Sequence, residues 1–278
     1  MTLSAPSRRG AGTTARSPLV NVMARAAERA ARQLVRDFGE VEQLQVSRKG
    51  PADFVSQADL KAEKTLTAEL SKARPAFGFL MEESGTKAGQ DPDRRWIVDP
   101  LDGTTNFLHG LPHWAISIAA EEKGEITAGV VFNPISDELF WAEKGKGAFL
   151  NDRRLRVSSR RTLKEGLLAT GIPFLGHGDT TKYQAELNRL MPQVAGIRRY
   201  GAAALDLAFV AAGRFDGFWE GKLNAWDVAA GILLVREAGG FATEMDGGHN
   251  PVYGGSILAA NSHLHLLMGK ELRAAVSG

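Results

Sequence analysis

Acidic residues recur in this chain where short apolar runs stop. Gly78-Phe79-Leu80-Met81 is followed by Glu82-Glu83, and Trp96-Ile97-Val98 by Asp99-Pro100-Leu101-Asp102-Gly103-Thr104-Thr105-Asn106. Asp227 follows Trp226 at the mouth of a helical pattern. A strand end is a rigid mount that can hold a side chain in the geometry chemistry needs. Oxygen-only ligand sets of this kind suit a hard cation such as magnesium. If Glu82, Asp99, Asp102 and Asp227 converge, they gather about four negative charges at ordinary pKa values. A phosphate monoester would be repelled by that cluster, whereas two divalent cations would cancel the charge and attract it. Two such ions roughly 3.5–4 Å apart can polarise phosphoryl oxygens, activate water and stabilise a departing alkoxide. Gly103 lets backbone N–H groups approach a phosphate, and Thr104 adds a hydroxyl. Taken singly, an Asp-Gly pair reads as a turn, a Glu-Glu pair as solvated surface, and Asp53, Asp59 or Asp227 as a helix cap. Only the combination points to a site.

The elements that must carry these residues are legible in outline. Ser17-Pro18 reads as an N-cap and first-turn proline opening a helix to Phe38, with Leu19, Val22, Met23, Ala26, Ala30 and Leu34 at helical spacing. Residues 45–58 read as strand or loop around Lys49-Gly50-Pro51, and a second helix is predicted from Asp59. Residues 116–120 and 127–133 flank a charged, glycine-containing turn and predict a hairpin, continued by 138–141 and 148–157. Helices are predicted over 179–191, 202–212 and 227–238, the last ending in Gly239-Gly240. The order gives a fold of α/β class, with an α+β first half (17–157) and an α/β second half (158–278) sharing one compact body behind a mobile tail at 1–16.

Composition removes several alternatives. The 278 residues include no cysteine, which excludes disulfides, thiolate nucleophiles and zinc–thiolate sites and fits a cytoplasmic setting. Lys plus Arg total 34 against 32 Asp plus Glu, a net charge of +2 that predicts no nucleic-acid field. The arginines fall in scattered doublets such as Arg94-Arg95 and Arg198-Arg199. No apolar run approaches the roughly 20 residues that span a bilayer, so no membrane role is expected.

Four stretches together resemble the inositol monophosphatase family of magnesium-dependent sugar phosphatases. They are residues 53–59, Glu82-Glu83-Ser84, the run from Trp96 to Phe107, and Trp226-Asp227-Val228-Ala229-Ala230-Gly231 with Glu237-Ala238-Gly239-Gly240. The resemblance implies a layered αβαβα sandwich, a homodimer, and metals between the halves. It implies that Glu82, Asp99, the Leu101 carbonyl and the Thr104 hydroxyl hold one magnesium, that Asp99, Asp102 and Asp227 hold a second, and that a weaker third lies near Glu82. Asp59 paired with Thr104 would, with Glu82, orient and deprotonate the attacking water. The Gly103 and Thr104 amides would cradle phosphate, while Glu220, the turn Gly201-Ala202-Ala203 and Asp227, with Glu82 and Asp102 beside them, would face the substrate. The reaction implied is hydrolysis of a small polyol phosphate, inositol 1-phosphate first, with fructose 1,6-bisphosphate, histidinol phosphate and a nucleotide 3′-phosphate as alternatives. Some bacterial relatives dock onto transcription antitermination machinery, and residues 200–250 resemble theirs.

The sequence departs from the family pattern at Met81, Ser56, Ala202 and Asn224, around the sugar side of the site rather than the metals. Asp-x-x-Asp-Gly-Thr is one residue longer than the nucleophile segment of haloacid dehalogenase-type phosphatases. His109 and His113 are separated by Gly110 and Pro112, which interrupt any helix that would align them on zinc.

Overall fold

The computed structural model describes residues 16–39, 46–48, 54–174 and 176–276. The tail expected at the N-terminus falls, up to residue 15, outside these residues, as do Lys49, Gly50, Pro51 and Asp53. Helix α1 (Pro18–Phe38) begins as its sequence predicts: the Ser17 hydroxyl accepts from the Val20 N–H at 3.3 Å and Pro18 fills the first turn. After the antiparallel pair β1 (Val46–Arg48) and β2 (Phe54–Ser56), helix α2 (Gln57–Ala73) starts two residues before the expected Asp59. Asp59 is therefore a buried residue of its first turn and not its cap.

The large sheet follows: β3 (Gly78–Met81), β4 (Gly85–Lys87), β5 (Arg94–Asp102), then after the short helix α3 (Thr104–Leu108) the strands β6 (Ala115–Glu122), β7 (Glu125–Asn133), β8 (Glu138–Glu143), β9 (Gly147–Leu150) and β10 (Arg153–Arg154). Its order is β10-β9-β8-β7-β6-β5-β3-β4. The expected β6–β7 hairpin turns at Lys123-Gly124, both at positive φ.

The small sheet comes from β11 (Leu167–Thr170), then α4 (Thr180–Leu190), β12 (Gly196–Arg198), α5 (Ala203–Ala211), β13 (Gly217–Gly221), α6 (Ala225–Glu237), β14 (Phe241–Thr243), β15 (Ser256–Ala260) and α7 (Ser262–Val276). Its order is β12-β11-β13-β15-β14. No described helix is long and apolar enough to cross a membrane.

Five layers result, as the sandwich expectation required. One face of the large sheet, with Trp96, Trp114, Ile118, Val130 and Trp141, buries the small-residue stripe of α1 and the Ala62–Leu66–Leu70 face of α2. Its other face shares a core with α5, α6 and the small sheet, in which Ile97, Val131 and Phe140 meet Leu207, Leu234, Phe218 and Ile257. The outer face of the small sheet is closed by α7 and α4 through Trp219, Leu258, Leu264, Met268 and Leu190. Helices α5 and α6 are largely apolar because most of their residues are buried.

The position of α6 explains its Ala229-Ala230-Gly231 run. A Cβ on Gly129 of β7 would lie 3.0 Å from the Ala230 Cα, so the helix rests directly on the sheet backbone. A Cβ on Gly231 would lie 2.5 Å from the Leu207 Cβ of α5, so the same helix is also pressed from its other side. Gly231→Val is expected to destabilise the fold by roughly 1–3 kcal/mol through overpacking. Urea unfolding checks this, and Leu207→Ala in the same chain should recover part of the loss, because the two sites share one space.

Candidate active site

Strand β5 supplies two of the acids, and both lie within the strand instead of beyond its end. Pro100 has no N–H to give the ladder, so the pairing with β6 slips between Asp99, opposite Ser117, and Asp102, opposite Ala115. Asp99 is 1% exposed and its Oδ1 accepts from the Leu101 N–H at 2.9 Å. Gly103 follows at φ 91°, where a Cβ would press on the His113 carbonyl at 3.0 Å. That conformation turns the chain straight into α3, whose first residue is Thr104. The Thr104 hydroxyl donates to the Leu101 carbonyl at 3.0 Å.

Asp102 performs a task that the sequence conceals. Ala202, the N-cap of α5, has no side chain able to accept a hydrogen bond. Asp102 does this from a distant part of the chain: its Oδ2 accepts from the Ala204 N–H at 2.8 Å, and the Ala203 and Leu205 amides also stabilise its charge. The Asn106 amide nitrogen, donating to the carbonyls of His113 at 2.8 Å and Tyr200 at 2.7 Å, ties α3 to the Gly201 turn.

Asp227 is also tethered to the backbone. It occupies the third position of α6, and its Oδ2 accepts from the N–H of the cap residue Asn224 at 2.6 Å. Glu82 opens the turn between β3 and β4, with its N–H on the Val98 carbonyl at 3.3 Å. That turn is held by Glu63 of α2, which accepts from the Glu83 N–H at 2.9 Å, the Ser84 N–H at 3.3 Å and the Ser84 hydroxyl. Glu63 was not among the predicted site residues, although it lies four residues after Asp59 on one helix face. Glu220, next to last in β13, lies against Gly171, where a Cβ would lie 1.8 Å from its Oε1; only glycine leaves room for this carboxylate.

These carboxylates lie within one another's electrostatic field. Burial, followed by the charges of Glu82, Asp102 and Asp227, raises the Asp99 carboxyl well above its ordinary range. Asp227 is raised in the same direction by burial and by Asp102, Glu82 and Glu220, against the lowering bond from Asn224. Asp102 is raised to about 7, mainly by burial, with its amide bonds opposing. Glu220 is raised to about 8 by burial and Asp102, with Arg199 opposing. Asp206 of α5 is a further buried acid, raised by burial, Glu220 and Asp102; the sequence reading passed over it as part of an apolar helix. His113 moves the other way, to about 4 on burial, and is a neutral ring packed against Tyr200 and Phe209.

Asp99, Asp102 and Asp227 make no ion pair with Lys or Arg among the described residues. Buried negative charge without an organic counter-charge, presented by oxygen donors alone, fits a divalent cation. Among the described residues no three acidic or histidine side chains already close around one ion. The backbone tethers give the carboxylates a direction, but they do not cancel the mutual repulsion. Beyond Glu220 and Asn224 opens a cavity of about 660 Å3, also lined by Gly171, Lys182, Tyr183 and Lys222.

An acid raised in the folded state binds more protons folded than unfolded between its ordinary and raised values, so its contribution to stability falls as pH climbs through that window. The window runs from about 4 to about 7 for Asp102 and about 8 for Glu220. Protein held in EDTA is therefore expected to show a higher urea midpoint at pH 6 than at pH 8.5, with magnesium restoring most of the loss. A midpoint that rises over this range in EDTA contradicts the charge assignment.

Known proteins resemble this chain along most of its length. A curated relative from Rhizobium meliloti (strain 1021), named inositol-1-monophosphatase, is 61% identical over 262 residues, covering 94% of this chain and 97% of its own. A Pseudomonas aeruginosa relative named Nus factor SuhB is 45% identical over 249 residues, covering 88% of this chain and 92% of its own. The crystal structure of extragenic suppressor protein suhB from Bartonella henselae superposes with a TM-score of 0.89 at 60% identity, covering 92% of this chain and 99% of that one. The pattern of the inositol monophosphatase family matches residues 15–277, and this chain belongs to that family.

Proposed function

We propose that this protein is a magnesium-dependent phosphomonoesterase that hydrolyses inositol 1-phosphate to inositol and phosphate. The observation that carries the reading is the set of carboxylates formed by the buried Asp99 and Asp102 and the half-buried Asp227, directed by backbone N–H groups and making no ion pair with Lys or Arg among the described residues. The family and the name of the Rhizobium relative support the phosphatase chemistry and favour inositol 1-phosphate over the other esters.

In this reading Glu82, Asp99 and the Leu101 carbonyl hold one magnesium, with Thr104 beside it, and Asp99, Asp102 and Asp227 hold another. The bound ions supply Lewis-acid polarisation of the phosphoryl group and a water acidic enough to attack. The protein's own groups do the rest. The Gly103 and Thr104 amides receive phosphate oxygens at the start of α3. Glu82, with the Asp59–Thr104 pair, orients the attacking water and takes its proton. The Thr104 hydroxyl donates to the Leu101 carbonyl, which would hold the ion beside it. Water held by Asp227 returns a proton to the leaving alkoxide. Glu220 and the Gly201-Ala202-Ala203 turn face the polyol. Because Ala202 lacks a hydroxyl, polyol contact there falls to backbone groups and to Glu220. Positioning and electrostatics supply most of the rate, as is general for phosphoryl transfer.

Asp102→Asn retains an acceptor for the Ala204 N–H, so α5 keeps its cap while the charge is lost. Phosphate release from inositol 1-phosphate in magnesium is expected to fall at least about a hundredfold, with near-normal circular dichroism. A variant that keeps most of its activity contradicts the assignment. Acid quench during turnover should trap no aspartyl-phosphate, since water attacks directly; a labelled aspartate would instead support the haloacid dehalogenase-type mechanism. A panel with fructose 1,6-bisphosphate, histidinol phosphate and a nucleoside 3′-phosphate ranks the substrates.

The Nus factor SuhB relative favours a second role as a partner of transcription machinery. Pull-down from cell extract, with wild type and Asp102→Asn, tests it: a partner recovered equally by both places that role apart from catalysis.

A further inference from the structure

The loop between β14 and β15 leaves the small sheet and reaches onto the large one. Its Tyr253 hydroxyl donates to Glu121 Oε1 at 2.5 Å and accepts from Arg95 Nη2 at 2.8 Å. Arg95 Nε bonds the other Glu121 oxygen at 2.5 Å, and its guanidinium lies 5.6 Å from the Tyr253 ring centroid. Arg95 and Glu121 face each other across the β5–β6 ladder. The Glu121 side chain is 6% exposed, so these bonds hold a buried charge, whereas Tyr253 itself is 43% exposed and does not serve as core filling.

Two residues further on, the same loop meets the candidate site. The Gly255 carbonyl accepts from the Leu223 N–H at 3.2 Å, and the next amide, that of Asn224, donates to Asp227 Oδ2 at 2.6 Å. Just before these, Lys222 sits at φ 64°, a left-handed conformation that a lysine keeps only when its surroundings impose it. The loop is braced from behind by Glu244: its carboxylate lies where a Gly254 Cβ would be and accepts from the Asn250 N–H at 3.1 Å. A continuous set of bonds thus runs from the Arg95–Glu121 pair on β5 and β6, through Tyr253 and Gly255, to the segment that directs Asp227.

We propose that Tyr253 is a positioning residue. By pinning the 250–255 loop to the Arg95–Glu121 pair it holds Leu223 and Asn224 in place, and through them the direction of the Asp227 carboxylate. The effect on metal binding rests on the reading of Asp227 as a ligand; the mechanical coupling does not.

The test uses the full chain with Tyr253→Phe and, separately, Glu121→Gln. In EDTA, amide hydrogen exchange over residues 221–228 is expected to quicken at least about fivefold in both variants, while exchange over 147–154 is unchanged. Calorimetric titration with magnesium chloride is expected to show affinity weakened about threefold or more, with kcat at saturating magnesium nearly retained. Glu138→Gln, which removes the Arg214–Glu138 pair elsewhere on the surface, should move neither quantity. Unchanged exchange over 221–228 overturns the proposal. So does a lowered melting temperature, or faster exchange, with wild-type magnesium affinity. If wild type binds no magnesium, the phosphatase reading fails instead, and the exchange data still decide the coupling.

Discussion

The structure depends on the mutual repulsion of carboxylates gathered where water is scarce. Asp99, Asp102 and Asp227 come from three separate positions in the chain and are raised by burial and by one another. Each is tied to a backbone N–H, a contact that directs an oxygen but carries no full positive charge. Such an arrangement is unfavourable in isolation and becomes favourable when divalent cations enter it. In the proposed function, stability is given up here for binding, as expected where a fold prepares a charged site in advance.

The rest of the architecture can be understood as what is required to sustain that cluster. Its acids come from both sheets and the layer between them, so the sheets must be locked together. That explains why α6 lies directly on Gly129 and accepts the pressure of Leu207 on Gly231. It also explains why Asp102 caps α5: one carboxylate completes a helix end and faces the cluster, and the helix that closes the core is thereby registered against strand β5. Glu63 and Asn106 act similarly, fixing the Glu82 turn and the Gly201 turn with their side chains.

Much of this was legible in the residues because it is local. The Ser17-Pro18 start and the hairpin at Lys123-Gly124 each follow from short-range stereochemistry, and each appears where expected. Boundaries shifted where a nonlocal partner intervened. Strand β5 runs on to Asp102, past a proline that would ordinarily end it, because β6 resumes pairing at Ala115. What stayed hidden lay in contacts between distant segments. Ala202 reads as a missing hydroxyl, and nothing nearby says that Asp102 replaces it 100 residues upstream. Asp206 is camouflaged by an apolar helix, and Tyr253 by a glycine-rich loop whose partners belong to the other sheet.

The most direct measurement of the carboxylate cage is anomalous diffraction from crystals soaked in manganese, which stands in for magnesium and scatters detectably. Two anomalous peaks bounded by Glu82, Asp99, Asp102 and Asp227 are expected, with the Leu101 carbonyl turned toward one of them. Well-diffracting soaked crystals in which those four side chains point apart, with no peak among them, would contradict the assignment at its root.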